Sequence, residues 1–389
     1  AANCLFGRGG SPSTDIDCGA TGADFNGNGV IEVGAGDWFA PEFLDDDWIA
    51  KKLIIRAAVP QMATWWFSSW PGDSSRNTSV TRVRVGGAYS YLMFDGLILN
   101  TTYESSAISF EVEQGATLHF KDVWFSGNGN LYGWVWHVAS SKLILENCRF
   151  TDSPFFVSAT DTSSVFVAGS VFEHVSSISG QAMFEMSLGN FIFSVSDSRF
   201  AYNTGRLAFL HERNYWYHSG RIMITNSSFI GNQHADSDSF IVHFVDDEWF
   251  MDPSTVTVAG CTFEGNVMNG GQADLFRLTG WSVLEITDSI FQGNTARYEI
   301  YMLWHSGPDP SGWGTAYSDS PELFIRDSLF VNGSQSVYVE SGTIRSKIVM
   351  MSVRRTKWTL YERLISTGDS YVNATFSECE FLNLSSAVV

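Results

Sequence analysis

The sequence predicts an all-β protein: a right-handed parallel β-helix with three short strands per coil and an irregular N-terminal cap. Three observations carry the prediction. An eleven-residue phrase recurs along the chain, most copies are followed by a third short apolar run, and no segment shows convincing helical periodicity. The phrase stands as LHFKDVWFSGN at Leu118–Asn128, FSVSDSRFAYN at Phe193–Asn203, IMITNSSFIGN at Ile222–Asn232, VTVAGCTFEGN at Val256–Asn266 and LEITDSIFQGN at Leu284–Asn294. Weaker copies lie at Leu143–Ser153, Val165–Val175 and Leu323–Gly333. Copies are separated by roughly 22–39 residues, the period of a solenoid.

Each part of the phrase has a local reason. In its first half apolar and polar residues alternate, as with Leu284 and Ile286, which is the pattern of a strand with one buried face. The fifth place holds Asp122, Asn226, Gly260 or Asp288, residue types that tolerate turn geometry. A second strand follows, with a small inward residue and then Phe. Phe125, Phe150, Phe172, Phe200, Phe229, Phe263, Phe291 and Phe330 are therefore expected to stack at the strand spacing of about 4.8 Å. Leu99 begins this series, and Trp358 and Phe381 continue it. Asn128, Asn203, Asn232, Asn266 and Asn294, three residues after Phe, read as an interior amide ladder and not as catalytic groups. The third runs, at Trp134–Val138, Leu207–Leu210, Phe240–Phe244, Leu275–Leu278, Ile300–Leu303 and Val337–Val339, complete three strands per coil.

The Phe-x-x-Asn phrase followed by an apolar strand resembles the repeats of the β-helical passengers of chlamydial polymorphic outer membrane proteins, and adhesin-type right-handed β-helices generally. The resemblance covers roughly Gly86–Val389. The Gly-Gly-Ala-Ile strand of that family is approached here only by Gly270–Ala273. The resemblance implies a β-helix fold and an adhesive role at a cell surface.

Two regions are expected: a cap over residues 1–85 and a β-helix of roughly eleven coils over residues 86–389. With 42 acidic against 23 basic residues and a net charge of −19, general electrostatics disfavour nucleic acid and anionic membrane as partners. No apolar run approaches the roughly 20 residues that span a bilayer. The chain opens at Ala1, which is expected to be a processed mature terminus, and glycosylation acceptors occur at Asn77, Asn100, Asn226, Asn332, Asn373 and Asn383. Cys148, Cys261 and Cys379 occupy the small inward place that Ser170, Ser198, Ser289 and Ser328 fill elsewhere, and read as buried free thiols. Cys4 and Cys18 share a Gly/Ser/Pro/Asp-rich loop, where a disulfide is expected in an oxidising compartment.

Candidate sites lie outside the repeat. Asp24, Asn26, Asn28, Val30 and Glu32 have the alternate oxygen spacing of a calcium loop, with Ala35 at the place of the final bidentate acid; a Gly/Asn-rich turn cluster is the plainer reading. Carbohydrate-active enzymes also use β-helices, but the motif sets of pectate lyases and polygalacturonases do not appear together. Asp45–Asp47 and Asp246–Glu248 read as solvated acidic turns, and His211, His218, His234 and His243 as scattered over loops and strands without metal-ligand spacing. Long aromatic loops supply Tyr215, Trp216, Tyr217, Trp249, Phe250, Trp281, Trp304, Trp313 and Tyr317, residue types suited to a protein interface or to sugar rings as well as to packing on the helix body. The patch Thr64–Trp70 suits a cap over strand edges, while the apolar stretch after Phe381 is expected to leave the last coil uncovered. The expected function is non-enzymatic: an extracellular structural or adhesive protein, assembling head to tail into a fibre or joining other surface proteins, without a cofactor beyond structural Ca²⁺. The rival readings are a polysaccharide lyase or glycoside hydrolase, and a monomeric glycan-binding adhesin.

Overall fold

The computed structural model describes residues 4–5, 29–39, 48–49, 52–67, 82–101, 108–127, 133–178, 182–187, 189–205, 210–213, 220–234, 241–245, 254–269, 273–279, 282–304, 322–333, 335–341, 348–359, 363–367 and 371–384. No helix occurs among them, and the strands form long parallel sheets, so the chain is an all-β parallel β-helix. Two compact units divide it: residues 1–159 with 163–178, and residues 160–162 with 179–389.

In the first unit, one sheet runs through Gly29–Val33, Lys52–Ala57, Tyr91–Asp95, Thr117–Lys121, Lys142–Glu146 and Ser164–Ala168. A second runs through Gly36–Phe39, Ala63–Trp66, Ile98–Thr101, Trp124–Gly127, Arg149–Thr151 and Val171–Glu173. The third contains Trp48–Ile49, Arg82–Gly86, Ile108–Glu113 and Trp134–Ala139. The predicted boundary at residue 85 is not a break in this pairing, and regular coils begin ahead of residue 86. Pairing asks only for backbone groups and alternating apolar side chains, whereas the full phrase with Phe and Asn is a stricter pattern.

The second unit repeats the arrangement. Its first sheet contains Ile192–Ser196, Arg221–Thr225, Ser254–Ala259, Ser282–Thr287, Glu322–Arg326, Ile348–Arg354 and Tyr371–Ser377. The phrase's second strands, from Arg199–Ala201 to Glu380–Leu382, form the second sheet. Phe184–Ser187, Leu210–Arg213, Val242–Val245, Asp274–Thr279, Tyr298–Trp304, Gln335–Ser341 and Arg363–Thr367 form the third.

Register converts the repeat into columns of like side chains. Phe125, Phe150 and Phe172 stack at 4.3 and 4.6 Å between ring centres. In the second unit Phe200, Phe229, Phe263, Phe291, Phe330, Trp358 and Phe381 do the same at 4.5–5.3 Å. Trp65, Trp134, Trp136 and Trp358 are fully buried, so part of the Trp content is core. Asn203, Asn232, Asn266 and Asn294 form the expected ladder: Asn266 Nδ2 donates to Asn294 Oδ1 at 3.0 Å and to the Phe229 carbonyl at 2.9 Å. Asn128 lies outside the described residues.

The turn at the fifth place is left-handed at Asp122, Asn147, Asp197, Asn226, Gly260, Asp288 and Asp327, as the residue types predict. A second left-handed position, two residues after Phe, was not predicted. It holds Asp152, His174, Tyr202, Gly231, Gly265, Gly293, Asn332 and Asn383. The glycines of the GN pairs were its signal in the sequence.

Candidate functional site

In a β-helix the inward positions are committed to the core, so chemistry must come from outward positions and loops. One register row of the third sheet in the second unit is unusual. Register places Glu185, His211, His243, Arg277, Tyr301, Tyr338 and Ser366 in one row, each paired with the next. Here the folded chain corrects the sequence reading: His211 and His243 are not scattered but are neighbours on adjacent strands. Unequal coil lengths hid this, because a loop of any length can separate two strands that pair in register.

The row is reinforced by its surroundings. The Arg277 guanidinium carbon lies 4.8 Å from the centre of the Tyr301 ring, which stacks on Tyr338 at 5.5 Å. Tyr298 joins them, 4.4 Å from Tyr338 and 5.8 Å from Tyr301. Arg297 covers Tyr298 and Tyr301 at 4.8 and 5.1 Å. It also forms a two-pronged pair with Asp274, at 3.1 and 3.3 Å. Asp274 is fully buried, and burial raises its carboxyl above the usual carboxylate range against the pull of Arg297. Tyr301 is buried beneath this cluster, and the part of the row that solvent reaches is the half-buried Glu185, His243, Arg277 and Tyr338, a carboxylate, an imidazole, a guanidinium and a phenol. That set donates and accepts hydrogen bonds but offers little free ring face.

The first unit carries a second polar cluster on its third sheet. Glu111 accepts hydrogen bonds from Arg82 Nε at 2.5 Å and Arg84 Nε at 3.0 Å, and pairs with His137 across the strands. Burial alone would raise the Glu111 carboxyl, but the two guanidinium groups hold it below its ordinary range.

Among the residues predicted for calcium, Val30 and Glu32 lie in the strand Gly29–Val33, and Glu32 accepts a hydrogen bond from Arg56 Nε at 2.9 Å. Asp24, Asn26 and Asn28 lie outside the described residues, as do Asp45–Asp47, Asp246–Glu248, Cys18, Asn77 and His218. No group of three or more His, Cys, Asp or Glu among the described residues is placed to hold a metal ion. Cys4 belongs to the strand Cys4–Leu5. Cys148 and Cys261 are buried free thiols, and Cys379 is a half-buried one. Asn226, Asn332, Asn373 and Asn383 are exposed, and Asn100 is half-buried. His234 is buried in the interior. Tyr215, Trp216, Tyr217, Trp249, Phe250, Trp281, Trp313 and Tyr317 lie outside the described residues, and Trp304 ends the strand Tyr298–Trp304. In the chain these aromatic segments follow the third-sheet strands that end at Arg213, Val245, Thr279 and Trp304. Sequence reasoning therefore pointed to the connections leaving this sheet but missed Glu185, Arg277, Tyr298 and Tyr338 within it.

No family model matches the chain, and no curated protein sequence matches it. It is similar to the catalytic unit of a thermostable GH87 alpha-1,3-glucanase from Streptomyces thermodiastaticus, at 10% identity and a TM-score of 0.49 over 92% of this chain and 64% of that one. Tailspike protein 3 of bacteriophage CBA120 is 11% identical with a TM-score of 0.40, over 90% of this chain and 56% of that one. PfbA, a surface adhesin of Streptococcus pneumoniae, is 11% identical with a TM-score of 0.40, over 93% and 85%. The chain thus spans less than two thirds of the length of the glucanase unit and of the tailspike.

Proposed function

We propose that the protein is an extracellular adhesive β-helix that holds an extended carbohydrate along the outward row of the third sheet in its second unit. The observation that carries this reading is the unbroken run from Glu185 to Tyr338, six hydrogen-bonding or aromatic residues on successive strands. Rungs about 4.8 Å apart are close to the length of one hexose unit, so successive sugars can follow successive strands. The sugar is met by hydroxyl and guanidinium groups, and by the aromatic loops that follow these strands.

Secretion and glycosylation belong to the same proposal, supported by the exposed acceptors Asn226, Asn332, Asn373 and Asn383. Structural Ca²⁺ at Asp24–Glu32 is proposed with it, and a melting temperature indifferent to calcium and chelator would remove that part. Self-association is supported by Phe376, Phe381 and Leu382, apolar side chains exposed on the last described strands.

The test is binding of the purified protein to an array of neutral and acidic oligosaccharides. At least one extended glycan is expected to bind, and Arg277→Ala with Tyr338→Ala to weaken it about 10-fold or more, the scale of losing hydrogen bonds to charged groups. Absence of binding to every glycan, or unchanged affinity in both variants, would sink the reading. Release of new sugar ends by this row would instead make the chain a carbohydrate-cleaving enzyme.

A further inference from the structure

On the outward face of the first sheet in the first unit, three side chains from successive coils are joined by hydrogen bonds. Tyr91, His119 and Glu146 each stand one strand and two residues on from the last. The Tyr91 hydroxyl lies 2.8 Å from His119 Nδ1, and His119 Nε2 lies 3.0 Å from Glu146 Oε2. An ionised carboxylate only accepts, so Nε2 donates to Glu146, and in the neutral ring Nδ1 accepts from the Tyr91 hydroxyl. Burial holds His119 below the ordinary imidazole range although Glu146 pulls the other way. The ring is thus held neutral, while burial, with Glu146 and Asp95, raises the Tyr91 hydroxyl above the ordinary phenol range, so the phenol keeps its proton until a substrate proton replaces it. Hydroxyl, imidazole and orienting carboxylate are the parts of an activated-oxygen site, here with a phenol at the reacting end.

The fold does not require this chain of groups. In the second unit the same diagonal from Arg221 runs through Thr257 to Thr287. The surroundings also select a ligand. Lys52 pairs with Tyr91 across the strands, its ammonium 5.7 Å from the ring centre, and Lys142 stands in the same row beyond Thr117. Arg56, Asp95, Lys121 and Glu146 form a parallel row, and Ile54, Met93, Ile144 and Phe166 flank His119 between the two. Although the whole chain carries −19, these rows set Lys52, Arg56, Lys121 and Lys142 against Glu32, Asp95 and Glu146, and with Arg56 paired to Glu32 the three lysines remain for a ligand. An anionic saccharide suits them, with its carboxylate at the lysine row and its C–H faces on the apolar row.

We propose that Tyr91, His119 and Glu146 form a general acid–base centre that abstracts the proton next to the carboxylate of a uronate residue in an acidic polysaccharide. Tyr91 gives its hydroxyl proton to His119 Nδ1 as its oxygen takes the proton from C5. The electron pair of that C–H bond forms the C4=C5 double bond, and the C4–O glycosidic bond breaks. The departing oxygen then takes a proton from Tyr91, and His119 returns its own to the phenol oxygen. The products are a free hydroxyl end and an unsaturated uronate, with no oxidant or co-reactant. Lys52 and Lys142 offset the charge that develops on the carboxylate, and Glu146 holds the ring in the required tautomer.

The experiment incubates the protein with polygalacturonate, alginate and chondroitin, with dextran as the neutral control, and follows the ultraviolet absorbance of the unsaturated product and its mass. Product is expected from at least one uronate polymer and none from dextran. Tyr91→Phe and His119→Gln are each expected to lower the rate about 10²–10⁴-fold at an unchanged melting temperature, and Glu146→Gln to lower it less. The rate is expected to fall on the acidic side as His119 protonates, in the field of Lys52, Asp95, Lys121, Lys142 and Glu146. Absence of unsaturated ends from all three uronate polymers, or a wild-type rate in both Tyr91→Phe and His119→Gln, overturns the proposal. Because the readout is product formation, its failure is distinguishable from a failure of glycan binding by the third sheet.

Discussion

A thiol held in an apolar interior resists ionisation, and Cys148 and Cys261 show it. Burial pushes Cys148 well above the ordinary thiol range and Cys261 up to about 11. Each sulfur sits in the small inward place of the phrase and donates to backbone carbonyls, Cys148 to Phe120 at 3.3 Å and Cys261 to Ala259 at 3.3 Å. Serines at the same place do the same work: Ser170 Oγ accepts from the Cys148 amide at 3.0 Å while donating to Ala168. Since the thiolate is the reacting species, iodoacetamide on the folded protein is expected to label half-buried Cys379 well before Cys148 and Cys261. Peptide mass mapping reads this, and equal labelling of all three before unfolding would contradict it. Not every residue fits its place so well. Arg355 and Glu378 occupy the left-handed turn that Asp, Asn or Gly fills in other coils, a strain of roughly 1–2 kcal/mol for an ordinary side chain.

At the scale of the strand and coil, stability depends on ladders that no single coil contains. Asn266 is fully buried; its Oδ1 accepts from the amide and side chain of Asn232 at 3.1 and 2.9 Å, and its Nδ2 donates to Phe229 and Asn294. Truncation to Ala would strip partners from groups that water cannot easily reach, each worth about 1–3 kcal/mol when left unsatisfied. Asn266→Ala is therefore expected to destabilise by about 3–5 kcal/mol, read by chemical denaturation, and a loss under about 1 kcal/mol would mean the amides do not act as a ladder. The Phe stack adds the burial of one large ring per coil, about 1.5–3 kcal/mol each. The same ladder logic that builds the core also builds the sites. A residue's neighbours are set by strand register, so Glu185 to Tyr338 form a row, and Tyr91, His119 and Glu146 a diagonal, although none of them is close in sequence.

For the whole molecule, charge and exposed apolar surface act against each other. A net charge of −19 keeps copies apart at low ionic strength, while Phe376, Phe381 and Leu382 favour contact. At about 0.15 M salt the Debye length is near 8 Å, so self-association is expected to rise with salt and to fall in Phe381→Glu, as sedimentation velocity would show. A single monomeric species at every salt and protein concentration would end the fibre reading. The contrast between what was legible and what was not follows from the periodicity of the chain. The β-helix, the Phe stack, the Asn ladder, the free thiols and the turn at the fifth place could all be read in advance, because an inward position repeats its residue type and an eleven-residue phrase makes that repetition visible. The outward rows could not. Nothing obliges solvent-facing positions to repeat, loops of unequal length separate the paired strands, and only hydrogen-bonded register brings His243 beside Arg277 or Tyr91 against His119.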